Sequence, residues 1–183
     1  MAAQNRWIRI IIQAPLLGLL AACAASPATQ PNDIPGPLQV SMAGLSVRHT
    51  HGAGAQIYEC RANKDDAARF EWQLKAPEAD IRDPGGIKIG KHYAGPAWEA
   101  VDGSKVIGEL VARVNSADPN AIAWLLLRAK ATSGDGIFGG VRFIQRLHTA
   151  GGNAPSIGCD QASVGGEVRV SYSADYWFYS AKP

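Results

Sequence analysis

The sequence predicts an all-β protein, either an antiparallel β-sandwich or a barrel, with short helical turns. Apolar residues alternate with polar ones, as in RFEWQLK over residues 69–75, where Phe70, Trp72 and Leu74 share one face. The apolar runs are short, and the chain's 20 glycines fall largely between them, as closely spaced strand connections require. Only brief helical turns are predicted, at 65–69 and 77–81.

Each predicted strand follows from its own pattern. In 105–114 the residues Val106, Leu110 and Val114 are expected on one face, and in 141–148 so are Val141, Phe143 and Leu147. The run WLLL at 124–127 has no helical spacing and predicts a strand buried on both sides. The predicted strands are 56–62, 69–75, 87–93, 97–101, 105–114, 122–131, 141–148, 168–172 and 176–179.

The beginning of the chain predicts export. Arg6 and Arg9 precede an apolar stretch over 10–20, which is too short for a permanent membrane span and is typical of a signal peptide. Leu-Ala-Ala-Cys at 20–23 is similar to a bacterial lipoprotein box, so residues 1–22 are predicted to be a lipoprotein-type signal peptide and Cys23 its lipidation site. Ordinary cleavage at Ala-Cys-Ala over 22–24 is the alternative. Ala24 after the cysteine favours the outer membrane or cell surface over the inner membrane.

A proline-rich tether and one domain follow the signal. Residues 23–37 include AASPATQPNDIPGP, whose four prolines and small polar residues are typical of a linker without a core. Residues 38–183 are predicted to form a single all-β domain.

The cysteines and charges narrow the function classes. With Cys23 lipidated, Cys60 and Cys159 remain, and in an oxidising compartment they predict one disulfide. A metal site at these two cysteines is the alternative, but it lacks the C-x-x-C spacing. Loss of Arg6 and Arg9 reduces the 18 basic residues to 16, equal to the 16 acidic ones, so the mature chain carries no basic excess for nucleic-acid binding.

The segment KHYAGPAWEAVDGSK over 91–105 is the first candidate ligand site. Gly95-Pro96 ends one strand and Asp102-Gly103 predicts a hairpin turn, so the segment reads either as two β-corners or as a cleft. The cleft would be lined by His92, Tyr93, Trp98 and Glu99. Strand alternation places His92 opposite Tyr93, and Trp98 opposite Glu99, unless a bulge at the Gly-Pro pair redirects them.

A second candidate lies in YSADYWFY over 172–179. Asp175, Tyr176 and Trp177 combine a carboxylate with amphipathic rings that suit a sugar, peptide or aromatic ligand. The alternative is a core strand with a turn at Asp175.

Five blocks carry a resemblance to a known family: QIYECRA, IGKHYAGPAWEAVDGSKVIG, IAWLLLRA, IQRLHTAGGNAPSIGCD and VSYSADYWFY. They resemble DUF3455, a family of secreted bacterial and fungal proteins of unknown function, over about residues 45–179. Some fungal members carry a malate dehydrogenase label, which this sequence does not support, because it has neither a G-x-G-x-x-G motif after a strand nor alternating strands and helices. The resemblance implies no catalytic residue and no cofactor.

Two function classes remain. The first is a non-enzymatic, lipid-anchored envelope module that binds a small molecule, glycan or protein partner, or has a structural role. The second is an extracytoplasmic enzyme, either metal-dependent through His49, His51 and His92 or hydrolytic through His92, Glu99 and Asp175. His148 is an alternative third metal ligand. The binding module is preferred because of the predicted signal, the proline-rich tether, the single predicted disulfide and the aromatic strands.

Overall fold

The computed structural model describes residues 29–182 of the chain, and these form a closed barrel of eight antiparallel strands. Each strand pairs with its neighbours in sequence, and the last strand pairs with the first, so no sheet edge is left open. Two short 3-10 helices, Gly36–Leu38 and Gln161–Ser163, precede the first and the last strand. The strands are β1 (Leu45–Ala62), β2 (Phe70–Arg82), β3 (Lys88–Tyr93), β4 (Ala97–Ala100), β5 (Lys105–Val114), β6 (Trp124–Ser133), β7 (Val141–Gly151) and β8 (Glu167–Ala181). The predicted all-β class is confirmed, and the barrel is the correct one of the two architectures.

Closure of the barrel depends on the ladder between β1 and β8. Residues 45–59 pair with residues 167–181 without a register shift. The predicted start of β1 at residue 56 was wrong, because glycines at 52 and 54 serve close packing and do not mark a loop. A Cβ at Gly52 would lie 2.5 Å from a ring carbon of Tyr176, and a Cβ at Gly54 would lie 2.1 Å from the carbonyl oxygen of Glu78.

Two other predicted breaks are absent from the barrel. The helical turn expected at 77–81 is wrong, because β2 continues through Pro77, which pairs with Gln56 beside a register shift at Ile57 and Tyr58. Proline is tolerated in a strand at such an irregularity, where its missing N–H is not required. The turn considered at Asp175 is also wrong, because this residue lies inside the uninterrupted strand β8. The predicted turn at 65–69 is present, closed by the N–H of Arg69 donating to Asp66.

The barrel buries side chains on both faces of β8. Tyr172, Ala174, Tyr176 and Phe178 belong to an interior cluster with residues of β2 and β4 to β7. Trp177 and Tyr179, which alternate with them, belong to a second cluster on the outer surface. Since successive side chains of a strand point to opposite faces, β8 is covered on both sides.

The outer cluster is covered by the segment that precedes β1. Ile34, Leu38 and Val40 are buried there against Leu126, Leu147, Trp177 and Tyr179. Side-chain Nε2 of Gln145 donates to the carbonyl of Leu38. Ile34, which lies within the predicted tether of residues 23–37, is thus packed on the barrel, whereas Leu38 and Val40 belong to the predicted domain. The predicted signal peptide at 1–22, the predicted lipidation site Cys23 and the start of the predicted tether lie outside the described residues.

A disulfide joins β1 to the segment before the second 3-10 helix. Cys60 and Cys159 are bonded across a sequence separation of 99, with their Cα atoms 5.3 Å apart. The predicted disulfide is confirmed, and it indicates an oxidising, extracytoplasmic environment. Among residues 29–182 no helix meets the length and apolarity that spanning a membrane would require.

Candidate functional site

A cavity of about 620 Å³ opens between the β3–β4 turn and the segment that follows β7, and we call it the mouth cavity. Its volume is in the range of small-molecule sites in proteins. Buried polar side chains line its inner part, and exposed leucines line its rim. Its lining includes Gln56, Tyr58, Leu74, Lys75, His92, Leu110, Arg113 and Arg146.

Arg146 is the main charged group of the mouth cavity. It lies on β7, two residues after the interior residue Ile144, and is half-buried. Its Nε and Nη2 both donate to the carbonyl oxygen of Ala123, at 3.2 and 2.8 Å. Among the described residues no carboxylate lies within ion-pair distance of this guanidinium. Arg146 therefore keeps an uncompensated positive charge beside the cavity.

Gln56 lines the same cavity and carries a buried donor without a partner. Its side chain is 2 % exposed, and its Nε2 has no hydrogen-bond partner among the described residues. A buried amide without a partner carries a free-energy penalty of about 1–3 kcal/mol, which a bound acceptor would remove. Tyr58, also buried, has its hydroxyl committed to the carbonyl of Gly152 at 2.6 Å. Gln56 is thus the free buried donor in the lining.

His92 contributes a neutral ring. Its Nδ1–H donates to the carbonyl oxygen of Ala97 at 2.9 Å, and the ring stacks on the indole of Trp98 with centroids 4.2 Å apart. Burial lowers the pKa of His92 to about 3, although the hydrogen bond to Ala97 acts in the opposite direction, and the charge of Arg146 lowers it further. Because Nδ1 carries the proton, Nε2 of the neutral ring is an acceptor.

The charged side chains that line the mouth cavity are all basic. Its lining contains Arg146, Arg113 and Lys75 and no aspartate or glutamate. Lys75 is already paired with Glu59 and Glu167, whereas Arg113 lies exposed at the rim without an ion pair among the described residues. An anionic group entering the cavity would therefore meet Arg146 as a half-buried cation and Gln56 as a neutral donor.

The structure divides the predicted ligand residues between the two faces of the barrel. His92, Trp98 and Tyr176 lie in the interior, where Trp98 and Tyr176 contact edge to face at 5.6 Å. Tyr93 and Glu99 lie on the outer face, joined by a hydrogen bond of 2.6 Å between the hydroxyl and the carboxylate. The cleft predicted from all four residues of the β3–β4 hairpin is therefore not formed, because strand alternation was not overcome by the Gly-Pro pair.

The remaining predicted residues lie on the outer face, where three histidines surround Asp175. His49 and His51 approach one carboxylate oxygen of Asp175 at 3.3 and 3.1 Å, and His148 approaches the other at 3.1 Å. The imidazole of His49 also stacks on Trp177, with centroids 4.5 Å apart. Burial raises the pKa of Asp175, but the hydrogen bonds from His51 and His148 and the charge of His49 outweigh burial and hold it below its usual value.

The fold brings together neither the metal set of His49, His51 and His92 nor the hydrolytic set of His92, Glu99 and Asp175. His49 and His51 lie on the outer face while His92 lies inside, so these three rings do not share a metal. Among residues 29–182 no group of three or more histidine, cysteine or acidic side chains has the arrangement of a metal site. The hydrolytic set is divided in the same way, because Glu99 and Asp175 point outward and His92 points inward.

Sequence reasoning missed Arg146, Gln56 and Arg113. The signal for Arg146 was its alternation with Ile144, which places both side chains on one face of β7. The prediction that Val141, Phe143 and Leu147 share one face obscured this signal. A bulge between Val141 and Phe143 places Val141 in the interior cluster, whereas Phe143 and Leu147 pack in the outer one. Gln56 gave no signal, since its importance depends on a cavity that several strands build together.

The fold and this site define a class: a disulfide-linked, closed eight-stranded barrel with a cationic cavity open at one end. The chain belongs to the family described as protein of unknown function (DUF3455), whose match covers residues 42–180. No curated protein and no solved structure matches the chain.

Proposed function

We propose that this protein is an exported, lipid-anchored binding module that takes a small organic anion into the mouth cavity. The observation that carries the proposal is the guanidinium of Arg146, which lies without an acidic partner in a cavity whose lining holds no carboxylate. A charge left uncompensated in a partly buried position is costly unless a counterion or strong hydrogen bonds accompany it. The carbonyl of Ala123 already accepts two hydrogen bonds from this guanidinium, and a ligand carboxylate or sulfonate would supply the missing counterion.

The buried neutral groups support the same ligand. Gln56 offers an amide donor to the anion, and neutral His92 adds no second charge. The aromatic and aliphatic lining around Tyr58, Ile122 and Leu125 provides apolar contact for the rest of the molecule. The cavity therefore combines one cationic anchor with apolar walls, which is the composition of a binding site for an anionic organic molecule.

The cellular setting is part of the proposal. The predicted signal at 1–22 and lipidation at Cys23 would attach the protein to the outer membrane or cell surface, and the disulfide of Cys60 and Cys159 supports an extracytoplasmic location. The packed segment from Ile34 to Val40 would then hold the barrel close to that attachment point. A membrane partner through the lipid and a small anionic ligand are the two interactions proposed.

The test uses two fluorescent probes that differ in charge. 8-Anilinonaphthalene-1-sulfonate is an anion, and N-phenyl-1-naphthylamine is its uncharged relative. We expect Arg146→Met to weaken binding of the anion at least about tenfold, the loss of one charge-assisted hydrogen-bonded contact, and to leave the neutral probe within about twofold. Arg128→Met removes an exposed arginine that pairs with Glu109 on the outer surface, and it should change neither probe.

Arg146→Lys keeps the charge and separates loss of charge from loss of structure. Circular dichroism and thermal melting establish that each variant is folded. Equal affinity of wild type and Arg146→Met for the anion would contradict the proposal, as would an equal loss for both probes.

A further inference from the structure

The lining of the mouth cavity differs between its inner part and its rim, and this difference bears on how a ligand is oriented. The lining side chains at its inner part are buried: Gln56 and His92 are each 2 % exposed. Its rim carries two exposed leucines, Leu74 at 55 % and Leu110 at 56 % exposed, beside the exposed Arg113 and the ion-paired Lys75. Buried polar groups therefore lie inside, and the opening adds exposed apolar surface to its charged groups.

We infer that the ligand is an amphiphilic monoanion, a hydrocarbon that ends in one carboxylate, bound with its carboxylate inward on Arg146 and its hydrocarbon outward along Leu74 and Leu110. This inference rests on the proposed function and adds the class and orientation of the ligand.

The single negative charge follows from the inner lining. Arg146 is the cation there, His92 is neutral, and Arg113 is exposed on β5 at the rim. A second anionic group deep in the cavity would have no cation of its own, so its desolvation would not be offset. One carboxylate can accept from the guanidinium and from the Gln56 amide together, because it has two oxygens.

The hydrocarbon part follows from the rim and the volume. Leu74 on β2 and Leu110 on β5 face the opening from different strands, with Pro77 and Pro96 also in the lining. Isolated exposed leucines are common on protein surfaces, but these border a cavity whose inner end holds a cation. At the ~30 Å³ that a water molecule occupies in the liquid, 620 Å³ holds about 20 water-sized groups, enough for a carboxylate with a chain of roughly ten carbons.

The experiment measures displacement of 8-anilinonaphthalene-1-sulfonate from the full mature protein by straight-chain carboxylates from butanoate to dodecanoate. Each buried methylene should raise affinity about fourfold until the chain reaches solvent. Dodecanol and dodecyltrimethylammonium, which have the same chain without the negative charge, should bind at least about tenfold more weakly than dodecanoate.

Orientation is tested at the rim. Leu110→Gln should weaken dodecanoate about fivefold or more and leave butanoate within about twofold, because only the long chain reaches the rim in the carboxylate-inward orientation. Val111→Gln is the matched control, since Val111 is the adjacent residue, is similarly exposed at 52 % and does not line the cavity. Arg146→Met should weaken both acids.

The outcomes separate this inference from the function on which it rests. If the sulfonate probe binds through Arg146 but carboxylate affinity does not rise with chain length, the inference is overturned and the proposed function stands. Equal weakening of butanoate and dodecanoate by Leu110→Gln, or no weakening of dodecanoate, overturns the orientation. If Arg146→Met leaves the sulfonate probe unaffected, the proposed function itself fails.

Discussion

Nδ1 of His148 lies 3.1 Å from a carboxylate oxygen of Asp175, and this contact joins β7 to β8 on the outer face of the barrel. The same imidazole reaches Asp33 through Nε2 at 3.0 Å, so it bridges the barrel and the segment that precedes β1. Both carboxylates are acceptors, so the ring nitrogens of His148 each face a negative group. Asp175 therefore links three histidines and, through one of them, the N-terminal segment.

Replacement of Asp175 tests this linkage. The pKa of Asp175 is held below its unfolded value, so its contribution to stability is present above about pH 4 and is lost as the pH falls through the folded pKa. We expect Asp175→Asn to lower the free energy of unfolding by about 1–3 kcal/mol at pH 7 and by much less at pH 2.5. Urea denaturation at the two pH values measures the difference.

The control for Asp175→Asn is Asp135→Asn, which removes an exposed carboxylate in the β6–β7 connection. It should change stability by less than about 0.5 kcal/mol at both pH values. A loss for Asp175→Asn that stays the same at pH 2.5 would contradict an electrostatic role for this carboxylate.

Burial of His92 predicts a pH dependence from the interior of the barrel. Its folded pKa of about 3 lies below the unfolded value near 6.5, so the unfolded state binds the extra proton between these values. Stability should therefore fall as the pH is lowered from about 6.5 towards 3, by about 1.4 kcal/mol for each pH unit from this group. His92→Asn retains a donor for Ala97 and should flatten that slope.

The His92 prediction is checked by urea denaturation across pH 3–7 and by NMR titration of the imidazole. The His92 ring signals should remain unchanged down to about pH 4. Titration of the His92 imidazole itself near pH 6 in the folded protein would contradict its burial. His51→Asn, at a half-exposed imidazole on the outer face, is the comparison variant.

The disulfide should be worth a large part of the stability. It closes a loop of about 100 residues between Cys60 and Cys159, for which the chain-entropy treatment gives about 4–5 kcal/mol. The double variant Cys60→Ser with Cys159→Ser should lose about 2–5 kcal/mol in urea denaturation. Wild-type protein reduced under the same conditions should match the variant. Equal stability of the oxidised wild type and the variant would show that the bond is dispensable.

The packed N-terminal segment gives a fourth prediction. Leu38 is completely buried in the outer cluster, so Leu38→Ala should lower the free energy of unfolding by about 2–4 kcal/mol. Met42→Ala, at a residue 37 % exposed four positions later, should change it by less than about 1 kcal/mol. If Leu38→Ala has the small effect instead, this segment does not contribute to the folded core.

Strand content was predictable because alternation and turn residues act locally. The Asp102-Gly103 signal marks the β4–β5 connection, where Gly103 has a φ of +83°, and Trp124–Leu127 is covered from both sides, with Leu127 in the interior cluster and Leu126 in the outer one. The assignment of faces was less predictable. Val106 and Val114 were expected on one face, but Val106 lies in the interior cluster and Val114 packs against the outer one. Register shifts in β5 between them exchange the faces.

The candidate site was predictable only in fragments. His92, Trp98 and Tyr176, predicted in two separate candidate sites, meet in the interior, but Tyr93, Glu99, Asp175 and Trp177 lie on the other side of the sheet. Arg146 carried no motif, because a single arginine in an alternating strand has the same local pattern whether it meets solvent or a cavity.

The sequence by itself determined the strand-forming segments, the pairing of Cys60 with Cys159 and the membership of the family, because these depend on local patterns and on which residues are present. Only the tertiary structure decided which face each side chain takes, that the segment around Leu38 joins the core, and that Arg146 lies beside a cavity without an acid. The reason is that a cavity and its charge balance depend on side chains from distant strands, and barrel closure and bulges set their positions together.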